Sequence, residues 1–219
     1  MSKGFRGLAL AVALVLGVAV ASAGVAVAIT GAASAGAAAA NAVGAQQADK
    51  VWQKVAASNA TGYVLLLRHA IAPGGGDPEN FRLGDCTTQR NLSDDGRAQA
   101  RKIGAWLSAQ NVKIAGVESS RWCRATETAK LLNLGKPRAN PSLDSLFLVP
   151  NADTHPQTQQ ARKQIANHRN KPGLLVLVGH QANIIALTGV APASGEGVLV
   201  KARPNGKLQV LGRSPAPNV

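Results

Sequence analysis

The chain has 219 residues, a formal net charge of +13 and only 3% aromatic residues. That charge favours anionic partners: phosphorylated substrates, acidic headgroups or nucleic acid. A nucleic-acid binder is disfavoured, because the basic residues form no Lys/Arg run and the few aromatics leave little surface for stacking bases.

The first stretch is not fold material. Lys3 and Arg6 form a short basic region, Leu8 to Ile29 is apolar, and Ala21-Ser22-Ala23 and Val43-Gly44-Ala45 suit signal cleavage. No acidic residue precedes Asp49, and Thr30 to Ala48 is almost all Ala, Gly and Ser. Residues 1–48 read as a secretory signal with a loose tether. The apolar run is also long enough to span a bilayer, so an uncleaved membrane anchor stays open. In either case the mature part is expected in the periplasm or outside the cell. Residues 49–219 then make one domain with a single sizeable core.

Along that domain, Val51 to Ala57 reads as a lead-in helix and Tyr63 to Arg68 as a strand. Ala72 to Asn91, rich in Gly, Pro and polar residues, is long for a structureless connection, and loops of this length tend to carry function. Ser93 looks like an N-cap, with Asp94 and Asp95 in the first turn of a helix to Ala109 that places Ile103, Trp106 and Leu107 on one face. A strand at Ile114 to Val117 leads to a helix from Arg121 to Leu132, with Ala125, Thr128, Ala129 and Leu132 inward. Asn140 to Asp153 is irregular, and Gln157 to His168 is a helix. Leu174 to Val178 is a central strand, followed by a helical turn at Asn183 to Thr188. Gly197 to Ala202 and Lys207 to Leu211 form a hairpin around Asn205-Gly206. The alternation predicts an α/β sandwich, mostly parallel with an antiparallel edge.

Two apolar runs end in a histidine: Leu65-Leu66-Leu67-Arg68-His69 and Leu174-Leu175-Val176-Leu177-Val178-Gly179-His180. Such runs read as buried parallel strands, and open α/β sheets bind ligands just past the carboxyl ends of their strands. His69 and His180 would share one rim, with Arg68 as a fixed charge beside them. Arg124, in the first turn of the helix after the second strand, points toward the same rim, and that helix start offers backbone N–H donors. Two imidazoles and two arginines there suit a phosphate. No His/Asp/Glu cluster has metal-ligand spacing, and the cysteines lie too far apart for a CxxC site, so no metal and no cofactor is expected.

Cys86 and Cys123 are an even pair, which in an exported chain suggests one disulfide. Two free buried thiols are the other reading.

Together these residues resemble the histidine phosphatase superfamily, with its phosphoglycerate mutase-like fold. The family's Arg-His-Gly appears as Arg68-His69-Ala70, with alanine for the glycine. Its Ser-rich turn, Arg-Ala and Thr-Ala appear as Ser119-Ser120, Arg124-Ala125 and Thr128-Ala129, and its second Gly-His as Gly179-His180. Leu92 to Gly96 fits the family's helix start, and the resemblance covers residues 61 to 212. It implies a three-layer sandwich and a metal-independent reaction in which His69 attacks phosphorus and forms a phosphohistidine that water hydrolyses. Arg68, Arg124 and His180 would bind and neutralise the phosphoryl oxygens. For the leaving-group proton the first candidate is Glu196, before Asp144, which stands beside the family's usual place near Ser145, and Asp85. A reaction with no acid fits a good leaving group such as phosphohistidine.

The expected activity is therefore that of a phosphatase acting on a phosphorylated small molecule or envelope component, either a phosphomonoester or a phosphohistidine. A mutase fits less well, since the domain is short and its export separates it from glycolytic intermediates. From another class, a non-catalytic anion-binding module tethered to the envelope carries the same basic residues.

Overall fold

The computed structural model describes residues 50–218, and the segment 1–48 lies outside them. Among the described residues no helix is long and apolar enough to cross a membrane. A helix over residues 50–56, α1, precedes β1 (Tyr63–Arg68). Then come α2 (Asp94–Ala109), β2 (Ile114–Ser119), α3 (Cys123–Leu131), β3 (Arg138–Ala139), α4 (Pro156–His168) and β4 (Leu174–Gly179). α5 (Gln181–Thr188), β5 (Gly197–Ala202) and β6 (Leu208–Ser214) complete the chain.

The strands form one six-stranded sheet in the order β3-β2-β4-β1-β5-β6. β1, β2, β3 and β4 pair in parallel, whereas β5 runs antiparallel to both β1 and β6. The sheet is covered on both faces, which is why β4 is buried along its whole length and why its sequence is continuously apolar. Alternation along β1 divides the core. Leu65 and Leu67 pack with Ile103 and Leu107 of α2 and Ala125 and Ala129 of α3. Val64 and Leu66 face the other way, against Ile165 of α4 and Ile184 and Leu187 of α5. The result is the expected three-layer α/β sandwich with a mostly parallel sheet. The two-residue β3, which carries no strand-like run, was not foreseen.

Ser93 caps α2 as expected, its side chain accepting from the Gly96 N–H. Two glycines let α2 come close to its neighbours. A β-carbon on Gly96 would stand 2.0 Å from the Ile71 carbonyl oxygen, and one on Gly104 would stand 2.1 Å from that of Leu132. The first contact sets the chain just after His69, and the second seats α2 on the end of α3.

In an ordinary helix interior Gly→Ala stabilises by about 1 kcal/mol. Here Gly104→Ala is expected to reverse that sign and cost about 1–3 kcal/mol, because rigid backbone must shift. A thermal melt of the purified variant checks it; a raised midpoint would show that the approach is slack.

Candidate active site

Parallel pairing sets Arg68 opposite Gly179, so His69 and His180 leave adjacent strands at the same rim. The His69 N–H donates to the Gly179 carbonyl at 3.0 Å, and the two ring centroids are 5.4 Å apart. β2 lies on the other side of β4 and delivers Ser120 to the same place, its N–H bonded to the Val178 carbonyl at 2.9 Å.

His69 is 2% exposed, and its Nδ1 lies 2.7 Å from the Ala70 carbonyl oxygen. A carbonyl only accepts, so Nδ1 carries the proton and Nε2 keeps its lone pair. Burial lowers the His69 pKa to about 3; the Ala70 bond opposes this, and the charges of Arg124, Arg90 and Arg68 add to it. His180 is likewise pushed well below its ordinary value, first by burial and then by His69 and the same three arginines. Both imidazoles are neutral at pH 7. His180 Nε2 lies 2.8 Å from Ser120 Oγ, which in turn lies 3.4 Å from Asp144 Oδ1.

The charge at the rim comes from guanidinium groups. Arg124 is buried on α3, and Arg68 donates through Nη1 to the Pro192 carbonyl at 3.0 Å. Arg90, from the long loop, donates to the carbonyls of Gly76 and Ala72. Among the described residues, the buried side-chain nitrogens left without a partner are Nε of Arg68 and Nε of Arg124. Buried N–H groups are nearly always satisfied. Orphaned donors on two arginines beside a neutral histidine fit a phosphoryl anion.

The loop between β1 and α2 proved as important as the strand ends. Asp77 accepts two hydrogen bonds from Arg124 and one from Trp122 Nε1. Its loop is held to α3 by a Cys86–Cys123 disulfide, by Gln89 Oε1 accepting the Cys123 N–H at 2.9 Å, and by Phe81 stacked on Trp122. The even cysteine count therefore pointed to a real bridge. Asp77 and Arg90 were missed; the length of the loop was their sole sequence signal.

Other expectations need correcting. The start of α3 offers fewer free donors than foreseen: the N–H groups of Arg121, Trp122 and Cys123 go to Asp144, Ser120 and Gln89. Asp144 is a buried partner of Arg121, with Nε at 2.8 Å and Nη2 at 2.5 Å. Glu196 accepts from Arg213 Nη1 at 2.7 Å and from the Ala193 N–H at 2.8 Å, while its backbone carbonyl takes the Arg68 N–H. Asp85 caps the short turn at Cys86–Thr88 and pairs with Arg82. His168, at the end of α4, is buried with Nε2 3.0 Å from the Gly173 carbonyl oxygen. Ala70 is buried in a small cluster with Leu92 and Ala100, and its N–H donates to Thr128 Oγ1 at 3.1 Å, which gives the Thr-Ala pair its place.

Residues 64–146 match the family model of the histidine phosphatase superfamily (branch 1). That stretch holds Arg68, His69, Asp77, Arg90 and Arg124 and ends before His180, which the sheet brings in. No curated protein matches the chain in sequence. Among solved structures, the protein of open reading frame Rv3214 from Mycobacterium tuberculosis is 17% identical at a TM-score of 0.51, over 68% of this chain and 94% of that one. The mycobacterial glucosyl-3-phosphoglycerate phosphatase Rv2419c is 15% identical at 0.50, over 68% and 96%. A phosphoserine phosphatase from Entamoeba histolytica, in complex with 3-phosphoglyceric acid, is 12% identical at 0.50, over 70% and 96%. At such identities the likeness is one of fold, and it is the phosphoglycerate mutase-like one.

Two outcomes follow from this geometry. Both histidines bind protons less readily folded than unfolded, where an imidazole titrates near about 6.5. Their contribution is therefore complete above that pH and is lost as pH falls toward about 3, where His69 takes its proton. The melting midpoint should drop between pH 7 and pH 4, and His69→Asn should flatten that slope; an unchanged slope would contradict the assignment. Reducing the bridge, which spans a sequence separation of 37, should cost roughly 3 to 4 kcal/mol in the chain-entropy model. It should also weaken binding of inorganic phosphate, measured by calorimetry, because the loop carries Arg90. Loss of stability with phosphate affinity intact would separate the loop from the site.

Proposed function

We propose that the chain is a metal-independent phosphatase acting on a phosphomonoester or phosphohistidine through a phosphohistidine on His69. The observation that carries this reading is the His69 ring: neutral, with Nδ1–H held by the Ala70 carbonyl, and set among three guanidinium groups. A neutral Nε2 is a nucleophile without further activation, which answers the first requirement of covalent catalysis.

In the first step the Nε2 lone pair forms a bond to phosphorus while the ester P–O bond breaks. The leaving oxygen departs with that electron pair and takes a proton from water, the route open to a good leaving group, since both Glu196 carboxylate oxygens are engaged by Arg213 and the Ala193 N–H. In the second step water attacks phosphorus, the P–N bond breaks, and Nε2 regains its lone pair as phosphate forms. Arg68, Arg124 and His180 donate to the phosphoryl oxygens as charge shifts among them, the role for which preorganised donors are most effective. The guanidinium groups supply the positive charge that a metal ion would otherwise bring.

The export signal and the disulfide support a location in the periplasm or outside the cell, with or without a membrane tether. A phosphorylated small molecule or envelope component would then be the substrate, and nucleic acid would not. The same orphaned donors also suit a non-catalytic anion-binding module. Release of phosphate from an aryl phosphate separates the two.

His69→Ala should abolish that release, whereas Arg68→Ala, Arg124→Ala and His180→Ala should each cost about 10²-fold or more. His155→Ser, which keeps an N-cap acceptor for Gln157 at the start of α4, serves as the control and should stay near wild type. Acid lability and base stability of trapped phosphate would mark a phosphohistidine. No label, together with more than about a tenth of the activity in His69→Ala, would overturn the covalent route.

A further inference from the structure

Asp77 lies in none of the motifs that marked the site, yet its carboxylate grips the most deeply buried arginine there. Oδ1 accepts from Arg124 Nη1 at 2.7 Å and Oδ2 from Nη2 at 3.1 Å, so the carboxylate meets the guanidinium on its end-on edge. A guanidinium has five donors in a rigid fork. With Nη1 and Nη2 engaged end-on, the side-on edge is left over, and it is there that the buried Nε has no partner. Trp122 Nε1 and the Arg90 N–H hold the other lone pairs of the same carboxylate, at 3.0 and 3.2 Å. Asp77 is thereby fixed from three directions, and it fixes Arg124 in turn.

We propose that Asp77 is a positioning residue: it locks the Arg124 guanidinium so that its side-on edge faces the phosphoryl group, and it tunes the charge of the site to a dianion. The proposal rests on the phosphatase reading above. Burial pushes the Asp77 carboxyl up, but Arg124 and Trp122 outweigh it and hold it below its usual range, so the group is charged. Three arginines and one aspartate leave two positive charges beside two neutral histidines. That balance suits a phosphomonoester dianion better than the single charge of a phosphodiester. Removing Asp77 would leave the site more positive and Arg124 free to swing, which favours tight holding of any phosphate over aligned transfer.

Asp77→Asn tests this against three rival roles. Turnover is measured with an aryl phosphate, whose leaving group needs no acid, and with an alkyl phosphate, whose leaving group does; calorimetry gives the affinity for inorganic phosphate. The proposal expects kcat to fall at least tenfold on both esters, with phosphate binding unchanged or several-fold tighter. A loss confined to the alkyl ester would make Asp77 the general acid and overturn the proposal. Unchanged or raised kcat would overturn it too, the latter marking Asp77 as an inhibitory plug. Parallel loss of turnover and phosphate binding would reduce Asp77 to a loop anchor. If the wild type binds phosphate but hydrolyses neither ester, the phosphatase reading fails by itself. Phosphate affinity then still decides Asp77, since weaker binding in the variant would contradict its charge-tuning role.

Discussion

Arg68 of β1 stands opposite Gly179 of β4 in a parallel ladder buried on both faces, and the residues one step further leave the sheet together. Everything at the rim depends on that register. A slip of one residue would turn Val64 and Leu66 into the other layer of the core and carry His69 away from His180. The core and the site are therefore specified by the same hydrogen bonds. The large buried side chains of β1 and β4 give the pair of histidines a rigidity that a loop alone does not provide.

Rigidity matters because the site concentrates charge in a place that resists it. Two buried imidazoles are kept neutral, chiefly by burial, and the surrounding guanidinium groups reinforce that state. The arginines spread their donors over backbone carbonyls of Pro192, Gly76 and Ala72 and over the Asp77 carboxylate. Among the described residues, the buried Nε–H groups of Arg68 and Arg124 remain unpaired. Burying a polar group without a partner costs about 1–3 kcal/mol. An anion that accepts from both groups would relieve that cost, which supplies a driving force for the phosphate binding proposed above.

The rim has a second builder. Strands position His69, His180 and Ser120, but Arg90 and Asp77 come from a loop with little regular structure. Gly-rich chain loses much entropy on ordering. Here the loop is fastened to α3 by the disulfide next to Arg124, by Gln89 on the Cys123 N–H, and by Phe81 on Trp122. At the start of α3 the Cys123 N–H goes to this loop through Gln89, while those of Arg121 and Trp122 go to Asp144 and Ser120. With those donors engaged, the positive groups left at the rim are the guanidinium groups.

The amino-acid sequence by itself determined the layers, the two histidine-terminated strands, the cap of α2 and the cysteine pair. Each of these is a local pattern imposed by a general requirement: burial on both faces makes a strand continuously apolar, and orphaned N–H groups at a helix start demand an acceptor. Only the tertiary structure decided that Asp77 meets Arg124 across 47 positions of chain, that Asp144 belongs to Arg121, and that Glu196 is tied to Arg213. The buried setting of His168 and the brief strand β3 emerged in the same way. A carboxylate carries no periodicity, and its partner is chosen by which guanidinium the folded chain brings within 3 Å, a distance that no spacing along the sequence encodes.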